Sequence, residues 1–505
     1  MLFVKVSVIF FTIMPVKFKL LREPQPKTIP LVFFMFEGDY IAGYSLFKFL
    51  SEEEKDYLKK IRKSVNPKEK EVKLFILPKT ERKILTVGVS KKSEFSTQKA
   101  ALATRIAIQT AKKEKIKKFA FWVAPWTDAK KTQDFYEAVA ANAQMANFEF
   151  VKYKTPPKDG FNFIDEIQAI AARPDKNIAE GFRRGTIVGE EVNAARRLAN
   201  TPGGDMTPRI LAQHARRDAK GTGIKVSIFD EKKIKALKMG GILGVSKGSD
   251  ERPRFIVMEY LKGPKNQKPI VLVGKGVTFD TGGLNLKPEQ AIYEMHMDMS
   301  GGSAVIHTIR AAARLKLKKN IVGLVPAVEN MPSGSSYHPG DVLRTMSGKT
   351  IEVLNTDAEG RIILADALTY AKKYEPALVV DIATLTGAAM AALGQRWTGL
   401  FTSDKKLEER FRKLGNETGD AVWPLPLTAD YEEEIKGTFG DWANIGKTKY
   451  GGAITAAVFL WQWAKGYPWV HLDIAPRMTT IEGEYLAKGA AGAPVRLLVR
   501  LLEEF

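Results

Sequence analysis

The chain contains no cysteine and only five histidines among its 505 residues. The absence of cysteine excludes disulfide bonds and thiolate-bound zinc. The sequence H-E-x-x-H, which would place two histidines on one helix face, does not occur. Because the histidines are scattered, we expect each to be a surface or core residue and not a metal ligand. They are His214, His296, His307, His338 and His471.

Acidic residues are in the minority, with 57 against 78 lysines and arginines, which gives a formal net charge of +21. Such a charge raises the affinity for anions, nucleic acid included. No helix-turn-helix or zinc-finger pattern accompanies it, so a DNA-binding role is a secondary hypothesis. The composition, 45% hydrophobic and 27% charged, is that of a globular protein.

Residues 1–14 are apolar apart from Lys5. A secretory leader is disfavoured because Lys5 interrupts the apolar run and no small-residue cleavage site follows. The segment is also too short to span a bilayer. The alternatives are that residues 1–14 form an additional strand or that the true start is Met14. We expect a cytoplasmic protein that does not associate with a membrane.

The stretch 355–361, Asn-Thr-Asp-Ala-Glu-Gly-Arg, is the most informative part of the chain. It follows the hydrophobic residues Ile351, Val353 and Leu354 and precedes a helical pattern over 362–370. If Asp357 and Glu359 occupy an extended strand end, their side chains lie on one side. Together with Arg361 they would form a pocket for a cation. A solvated turn is the alternative, and the commoner outcome for an isolated pair of this kind.

A second group of charged residues lies upstream. Residues 270–273 predict a short buried strand, and Lys275 stands where this apolar run ends. Ligands of α/β sheets tend to bind at the carboxyl ends of strands. We therefore expect seven charged side chains to converge on one cleft: Lys275, Asp280, Lys287, Asp298, Asp357, Glu359 and Arg361.

Three aspartates and one glutamate make an oxygen-rich site, which suits magnesium or manganese and also binds zinc. Four carboxylates exceed the charge of one divalent ion, so two ions with bridging carboxylates fit better. Beside such ions Lys275 would lose its ammonium form and could act as a neutral ligand. The same chemistry serves aminopeptidases, phosphatases and nucleases, and the charged residues alone do not choose among them.

Longer motifs resemble the leucyl aminopeptidases of the cytosol aminopeptidase family, which are hexameric exopeptidases with two metal ions. The heptad 355–361 is similar to the signature of that family. The resemblance covers roughly residues 195–505. It is carried by the segments 239–243, 254–260, 274–287, 329–334, 339–342, 347–368, 381–388, 451–457 and 471–475.

This resemblance implies a role for each site residue. One ion, manganese or zinc, would be held by Lys275, Asp280, Asp298 and Glu359, and the other by Asp280, Asp357 and Glu359. Lys287 would contact the scissile carbonyl, and Arg361 would hold a bicarbonate ion that acts as the base. Met295, Thr384, Leu385 and Gly387 would line the pocket for the first side chain of the substrate.

The resemblance also implies peptide substrates, a preference for leucine and other mainly apolar N-terminal residues, and a homohexamer. Some bacterial relatives bind DNA, so the alternative is an accessory protein of recombination or transcription that retains the peptidase fold. Three segments depart from the family pattern: 296–297, 300–303 and 201–205. We interpret the first two as modulating the substrate pocket.

The predicted fold class is α/β, with alternating strands and helices in two domains. A smaller N-terminal α/β domain over 15–175 would be joined by a connecting helix over 176–200 to a C-terminal catalytic domain over 201–505. The catalytic domain would contain a central mixed sheet flanked by helices.

Overall fold

The structure, a computed structural model, describes residues 15–123 and 129–505. The apolar residues 1–14 lie outside this range. The predictions of a leader, an additional strand or a start at Met14 therefore concern residues that the structure does not describe. The chain folds into two compact units. The first comprises the residues up to Glu190 together with Ile481–Ala487, and the second comprises Glu191–Thr480 and Lys488–Phe505. None of the helices in the described part of the chain has both the length and the apolar character that a membrane crossing requires.

The first unit is built on a six-stranded sheet in the order β1-β6-β5-β2-β4-β3. All neighbours are parallel except β3 and β4. Its strands are β1 (Lys17–Leu21), β2 (Leu31–Met35), β3 (Val72–Ile76), β4 (Lys83–Gly88), β5 (Lys118–Trp122) and β6 (Glu166–Ile170). Its helices are α1 (Glu52–Lys60), α2 (Arg62–Val65), α3 (Thr97–Lys113), α4 (Ala129–Asn147) and the first part of α5 (Lys176–Ala199), a helix that continues into the second unit.

The second unit contains a mixed sheet of nine strands, in which β16-β15-β18-β14-β9-β11-β8-β7 form the main path and β10 pairs with β11. These strands are β7 (Lys225–Phe229), β8 (Arg254–Leu261), β9 (Ile270–Gly274), β10 (Gly276–Asp280), β11 (Asn320–Asn330), β14 (Leu378–Ala383), β15 (Thr398–Phe401), β16 (Val422–Pro424) and β18 (Trp469–Asp473). A small sheet is formed by β12 (Val342–Arg344), β13 (Thr350–Glu352) and β17 (Trp442–Ala443).

Helices cover both faces of the nine-stranded sheet. They are α6 (Pro208–Asp218), α7 (Glu231–Ala236), α8 (Gly240–Val245), α9 (Glu289–Ile292), α10 (Ser300–Arg314), α11 (Glu359–Ala371), α12 (Gly387–Leu393), α13 (Lys405–Thr418), α14 (Gly452–Ala464) and α15 (Val495–Glu504). Strand β9 shows why two layers form: Ile270 and Leu272 pack in the core on one face, and Val271 and Val273 in the core on the other. Successive side chains of a strand point to opposite faces, so an uninterrupted apolar run requires cover on both.

The predicted fold class is confirmed: both units are α/β, and the sheet of the second is mixed and flanked by helices. Parallel β9, β14 and β18 place their carboxyl ends at one edge of this sheet. The residues that follow these ends supply much of the candidate site.

Candidate metal centre

Three carboxylates meet at the carboxyl end of β10 and the start of α11. One oxygen atom each of Asp280, Asp357 and Glu359 lies within 4.8 Å of the others. Asp280 ends β10, Asp357 lies in the turn before α11, and Glu359 is the first residue of that helix. Asp280 and Glu359 are buried, whereas the side chain of Asp357 is about one third exposed.

The backbone that brings Asp357 and Glu359 together differs from the sequence-based prediction. Strand β13 ends at Glu352, and Ala358 has φ −105° and ψ 41°, outside the extended region. The expectation of an extended strand end was therefore wrong. The two carboxylates converge because a turn leads directly into the first turn of α11, where the helix dipole also favours negative charge.

Two lysines neutralise part of this carboxylate cluster. Lys275 lies between β9 and β10, and its Nζ is 2.7 Å from both Asp298 Oδ2 and Glu359 Oε1. Lys287 Nζ lies 2.8 Å from Asp280 Oδ2 and pairs with Asp357 Oδ1. Six of the seven charged residues singled out in the sequence thus form one connected network.

Two glycines allow this close assembly. A Cβ atom on Gly360, the second residue of α11, would lie 2.6 Å from Lys275 Cε. A Cβ atom on Gly301, near the start of α10, would lie 2.1 Å from the carbonyl oxygen of Ile382 at the end of β14. A side chain at position 360 would displace the end of the Lys275 side chain, and one at position 301 would push the start of α10 away from the end of β14.

The four carboxylates of the network carry more negative charge than its two lysines neutralise. Burial raises the pKa values of Asp298, Asp357 and Glu359, and the charge of neighbouring Asp280 raises them further. Burial would lower the pKa of Lys275, but the surrounding carboxylates outweigh it and raise that pKa above the ordinary value. The site therefore favours additional positive charge.

The donor set fits divalent cations. Asp298 Oδ2, Asp357 Oδ1 and Glu359 Oε1 are buried, and no described residue gives them a hydrogen bond of regular geometry. The lysine ammonium groups approach at ion-pair distance but without the angle of a hydrogen bond. Buried carboxylate oxygens with unused lone pairs are the ligands that hard divalent ions prefer.

Arg361 stands on α11 two residues beyond Glu359 and is 6% exposed. Its Nη1 donates to the carbonyl oxygen of Asn444 at 2.7 Å, while its Nε finds no acceptor among the described residues. Burial lowers the pKa of Arg361 to about 10, which leaves it a cation at neutral pH. A buried cation with an unused donor suits a small anion.

Four residues were expected to line a substrate pocket. Thr384 adjoins the carboxylate network: its Oγ1 donates to Asp298 Oδ1 at 2.5 Å, and its carbonyl oxygen accepts from Lys275 Nζ at 3.1 Å. Leu385 follows it, and Gly387 begins α12. Met295 lies in a short 3-10 turn three residues before Asp298.

The sequence interpretation assigned no role to the residues that brace the carboxylates. Asn330 ends β11, and its Nδ2 donates to Asp280 Oδ1 at 2.8 Å and to the carbonyl oxygen of Thr356 at 3.0 Å. The hydroxyl of Tyr337 donates to the same carbonyl at 2.7 Å. The pairing of β10 with β11, which sets Asp280 beside Asn330, would have been the signal, but strand neighbours are not readable from one sequence.

A third bracing residue is Asp473, at the end of β18. Its Oδ1 accepts from the backbone N–H of Leu385 at 3.1 Å, and its Oδ2 accepts from Thr386 Oγ1 at 2.7 Å. Asp473 is fully buried. It thereby fixes the segment between β14 and α12 that carries Thr384.

A mixed sheet flanked by helices, with a buried cluster of carboxylates and lysines at its strand ends, is typical of a metal-dependent hydrolase. Comparison with known families identifies which family of such enzymes the chain resembles. The cytosol aminopeptidase family matches by its catalytic domain over residues 193–499 and by its N-terminal domain over residues 32–157.

Individual relatives agree with this match. A protein named probable cytosol aminopeptidase from Methylobacillus flagellatus is 43% identical over 426 residues, 84% of this chain and 85% of that protein. One with the same name from Ralstonia pickettii is 41% identical over 426 residues, 83% of this chain and 84% of that protein.

Solved structures are similar over nearly the whole chain. A mutant of tomato leucine aminopeptidase superposes with a TM-score of 0.86 at 28% identity and covers 98% of both chains. The bottromycin maturation enzyme BotP in complex with Mn has a TM-score of 0.82 at 28% identity, over 94% of this chain and 99% of that one. The chain belongs to the cytosol aminopeptidase family, and it is an aminopeptidase that depends on divalent metal. These comparisons do not favour the alternative of a DNA-binding accessory protein.

Proposed function

We propose that the protein is an exopeptidase with two metal ions that releases leucine and other, mainly apolar, residues from the N-termini of peptides. The observation that carries the proposal is the buried network in which Lys275 links Asp298 to Glu359 and Lys287 links Asp280 to Asp357. An unrelieved excess of buried carboxylate is costly unless cations occupy it.

The five ligands divide between two ions. Lys275, Asp280, Asp298 and Glu359 would hold one ion, and Asp280, Glu359 and Asp357, the last through its side chain and its backbone carbonyl, would hold the other. The closeness of Asp280, Asp357 and Glu359, whose oxygens lie within 4.8 Å of one another, supports a shared ligand set. Manganese or zinc suits this set. When bound, the pair supplies Lewis acidity and makes a water molecule acidic enough to serve as the nucleophile.

Lys287 stabilises the negative charge that develops on the scissile carbonyl oxygen. Its side chain is 14% exposed, so it can reach both the network and a substrate. Burial would lower its pKa, but Asp280, Glu359 and Asp357 outweigh this and raise the pKa above the ordinary value. An ammonium group at this position would stabilise an oxyanion.

Arg361 holds a bicarbonate ion near Glu359. The support is its unused Nε donor in a buried position, where an uncompensated guanidinium is unfavourable. A weak base held at that point would supply general base and acid catalysis between the nucleophilic water and the leaving amine.

The pocket for the first side chain is formed by Met295, Thr384, Leu385 and Gly387. Met295 and Leu385 are partly buried and supply apolar surface. Peptides are the substrates, and a homohexamer in the cytoplasm is the assembly and location that membership of the family favours.

Metal content and turnover of leucine p-nitroanilide test the proposal together. Protein loaded with manganese or zinc should hydrolyse this substrate, and chelation should stop hydrolysis. Glu359→Gln removes a bridging charge, so it should lose activity and both ions. The matched control is Glu329→Gln, a half-buried glutamate on β11 whose Oε2 accepts from Ser249 Oγ at 2.6 Å.

Glu329→Gln should keep two ions per chain and most of the activity. Two bound ions and full activity in Glu359→Gln would show that the ligand assignment is wrong. Absence of turnover in the unaltered protein, across both metals and a panel of aminoacyl amides, would contradict the exopeptidase proposal itself.

A further inference from the structure

The first unit contains a partly open apolar cavity of about 290 Å³ that the proposed peptidase chemistry does not use. Aromatic rings dominate its wall, namely Phe34, Phe36, Phe95, Phe121, Trp122 and Phe135. Folded proteins normally pack their interiors with few voids larger than a water molecule. A space of this size, lined by rings, requires an explanation.

The cavity lies at the carboxyl ends of parallel strands. Phe34 and Phe36 stand at and just beyond the end of β2, Trp122 ends β5, and Val89 directly follows β4. Helices α3 and α4 close the sides through Ala100 and Val139, among others. Inner residues of β2 such as Phe33 and the middle of α4 therefore border the space together with the segments that follow the strands.

The strand order of the six-stranded sheet explains why a crevice forms at the position of the cavity. Strands β5 and β2 are neighbours in the order β1-β6-β5-β2-β4-β3. After β2 the chain turns to β3 and β4 on one side, whereas after β5 it passes through α4 to β6 on the other side. The two connections diverge and leave a crevice between them. In open α/β sheets, ligands bind in the crevice at such a topological switch point.

The wall selects for an apolar ligand. The Tyr44 hydroxyl donates to Asp39 at 3.0 Å and accepts from the backbone N–H of Phe36 at 2.9 Å, and Thr104 Oγ1 donates to Ala100 at 2.9 Å. These two hydroxyl groups are thus engaged within the protein. Phe34 and Phe121 already meet edge to face, with ring centroids 5.7 Å apart, a geometry that a further ring can extend.

Volume limits the size of the ligand. An apolar cavity of about 150 Å³ is sufficient to bind benzene. We propose that the cavity of the first unit is a binding site for a neutral aromatic molecule of one or two fused rings. The site is independent of the proposed peptidase mechanism, because none of its residues belongs to the carboxylate network.

Calorimetric titration of the metal-loaded, full-length protein with naphthalene and with indole tests this site. Saturating leucine in the buffer occupies the peptidase pocket, so that binding there does not contribute. One molecule of probe per chain is expected to bind. Ala100→Leu and Val139→Phe place new carbon atoms in the cavity and should weaken binding at least tenfold. Ala101→Leu, the adjacent position of α3, is the control and should bind as the unaltered chain does.

Circular dichroism and thermal unfolding check that each variant is folded. Crystals soaked with 1-bromonaphthalene give a measurement that needs no variant, because the anomalous signal of bromine locates the probe directly. A peak between Phe95 and Trp122 is expected. The proposal is overturned if neither probe binds up to its solubility, if the filled variants bind unchanged, if the bromine lies elsewhere, or if residues 1–14 of the chain fill the cavity.

Discussion

Replacing Asn330 with alanine separates the bracing of the metal site from the stability of the sheet. The amide of Asn330 is fully buried and donates to Asp280 Oδ1 at 2.8 Å and to the Thr356 carbonyl at 3.0 Å. It thus ties one proposed bridging ligand to the backbone just before Asp357. Asn330→Ala removes both ties, although Tyr337 still donates to Thr356.

The magnitude follows from the two lost hydrogen bonds. A bond to a carboxylate contributes about 2 kcal/mol and one to a carbonyl about 1 kcal/mol, so the variant should lose about 3 kcal/mol of unfolding free energy. Residues that orient metal ligands typically change metal affinity by about 10–100-fold when they are removed. We expect Asn330→Ala to fall within that range for manganese and zinc.

The other end of the same strand offers a matched control. Asn320 begins β11, is nearly buried, and donates through Nδ2 to the carbonyl oxygens of Pro264 and Gln267 at 2.8 and 2.9 Å. The two asparagines are the ends of an eleven-residue strand, about 30 Å apart. Asn320 Oδ1 also accepts from the Gly263 N–H at 3.0 Å, so Asn320→Ala loses three bonds to neutral groups, about 3 kcal/mol in all, without a change in metal affinity.

Competition between the apoprotein and a chromogenic chelator gives the metal affinities, and urea unfolding of the apoproteins gives the stabilities. The reasoning predicts similar urea midpoints for the two variants but weaker metal binding for Asn330→Ala alone. Unchanged affinity in Asn330→Ala would refute a bracing role. Equal loss of affinity in both variants would show that the effect is one of general stability.

Other predictions address charge, substrate binding and the anion. Buried Glu191 faces His307 at 2.8 Å and two arginines, Arg310 and Arg314; burial raises its pKa, but the hydrogen bond with His307 and the two guanidinium groups outweigh it and lower the pKa to about 2. At pH values above the ordinary pKa near 4.5, the lowered pKa of Glu191 contributes about 3 kcal/mol to the free energy of unfolding, and this contribution is lost as the pH falls towards 2. Glu191→Gln should therefore make the protein less stable to urea at pH 7 and hardly change its stability at pH 2. Asp473→Asn keeps only one of the two oxygens that accept from the Leu385 N–H and from Thr386 Oγ1, so KM for leucine p-nitroanilide should rise about tenfold while kcat changes less; a fall in kcat alone would contradict this positioning role. Arg361→Met should lower kcat about a hundredfold and abolish stimulation by added bicarbonate, with two metal ions still bound; unchanged stimulation would exclude Arg361 as the anion site.

The fold was readable from the sequence where the apolar pattern was long and unbroken. Residues 270–273 predicted a strand, and the structure has β9 there. The helical pattern over 362–370 corresponds to α11, which begins three residues earlier. The start of this helix, Glu-Gly-Arg, has no apolar periodicity, so the pattern could not reveal the true start.

The composition of the candidate site was also readable, because charged residues that follow buried strands are few. Lys275 and Asp280 were located by the apolar runs around them, and a parallel sheet brings such strand ends to one edge. The bracing residues were not readable in the same way. Asn330 and Tyr337 act through strand pairing and a loop that returns to Thr356, and both relations are tertiary.

The glycines at the start of α10 illustrate how far the structure changes an interpretation made from sequence. The departure at 300–303 from the family pattern was expected to modulate the substrate pocket. In the structure, Gly301 packs against the backbone of Ile382, and the Gly302 N–H donates to the carbonyl oxygen of Lys275 at 2.7 Å. The Lys275 N–H in turn donates to the carbonyl oxygen of Ile382 at 3.0 Å. The backbone segments at Lys275, Gly302 and Ile382 are therefore held in direct contact. The requirement for glycine at 301 therefore comes from the backbone geometry that holds Lys275 in the network, whereas an effect of the segment 300–303 on the substrate pocket stays a prediction.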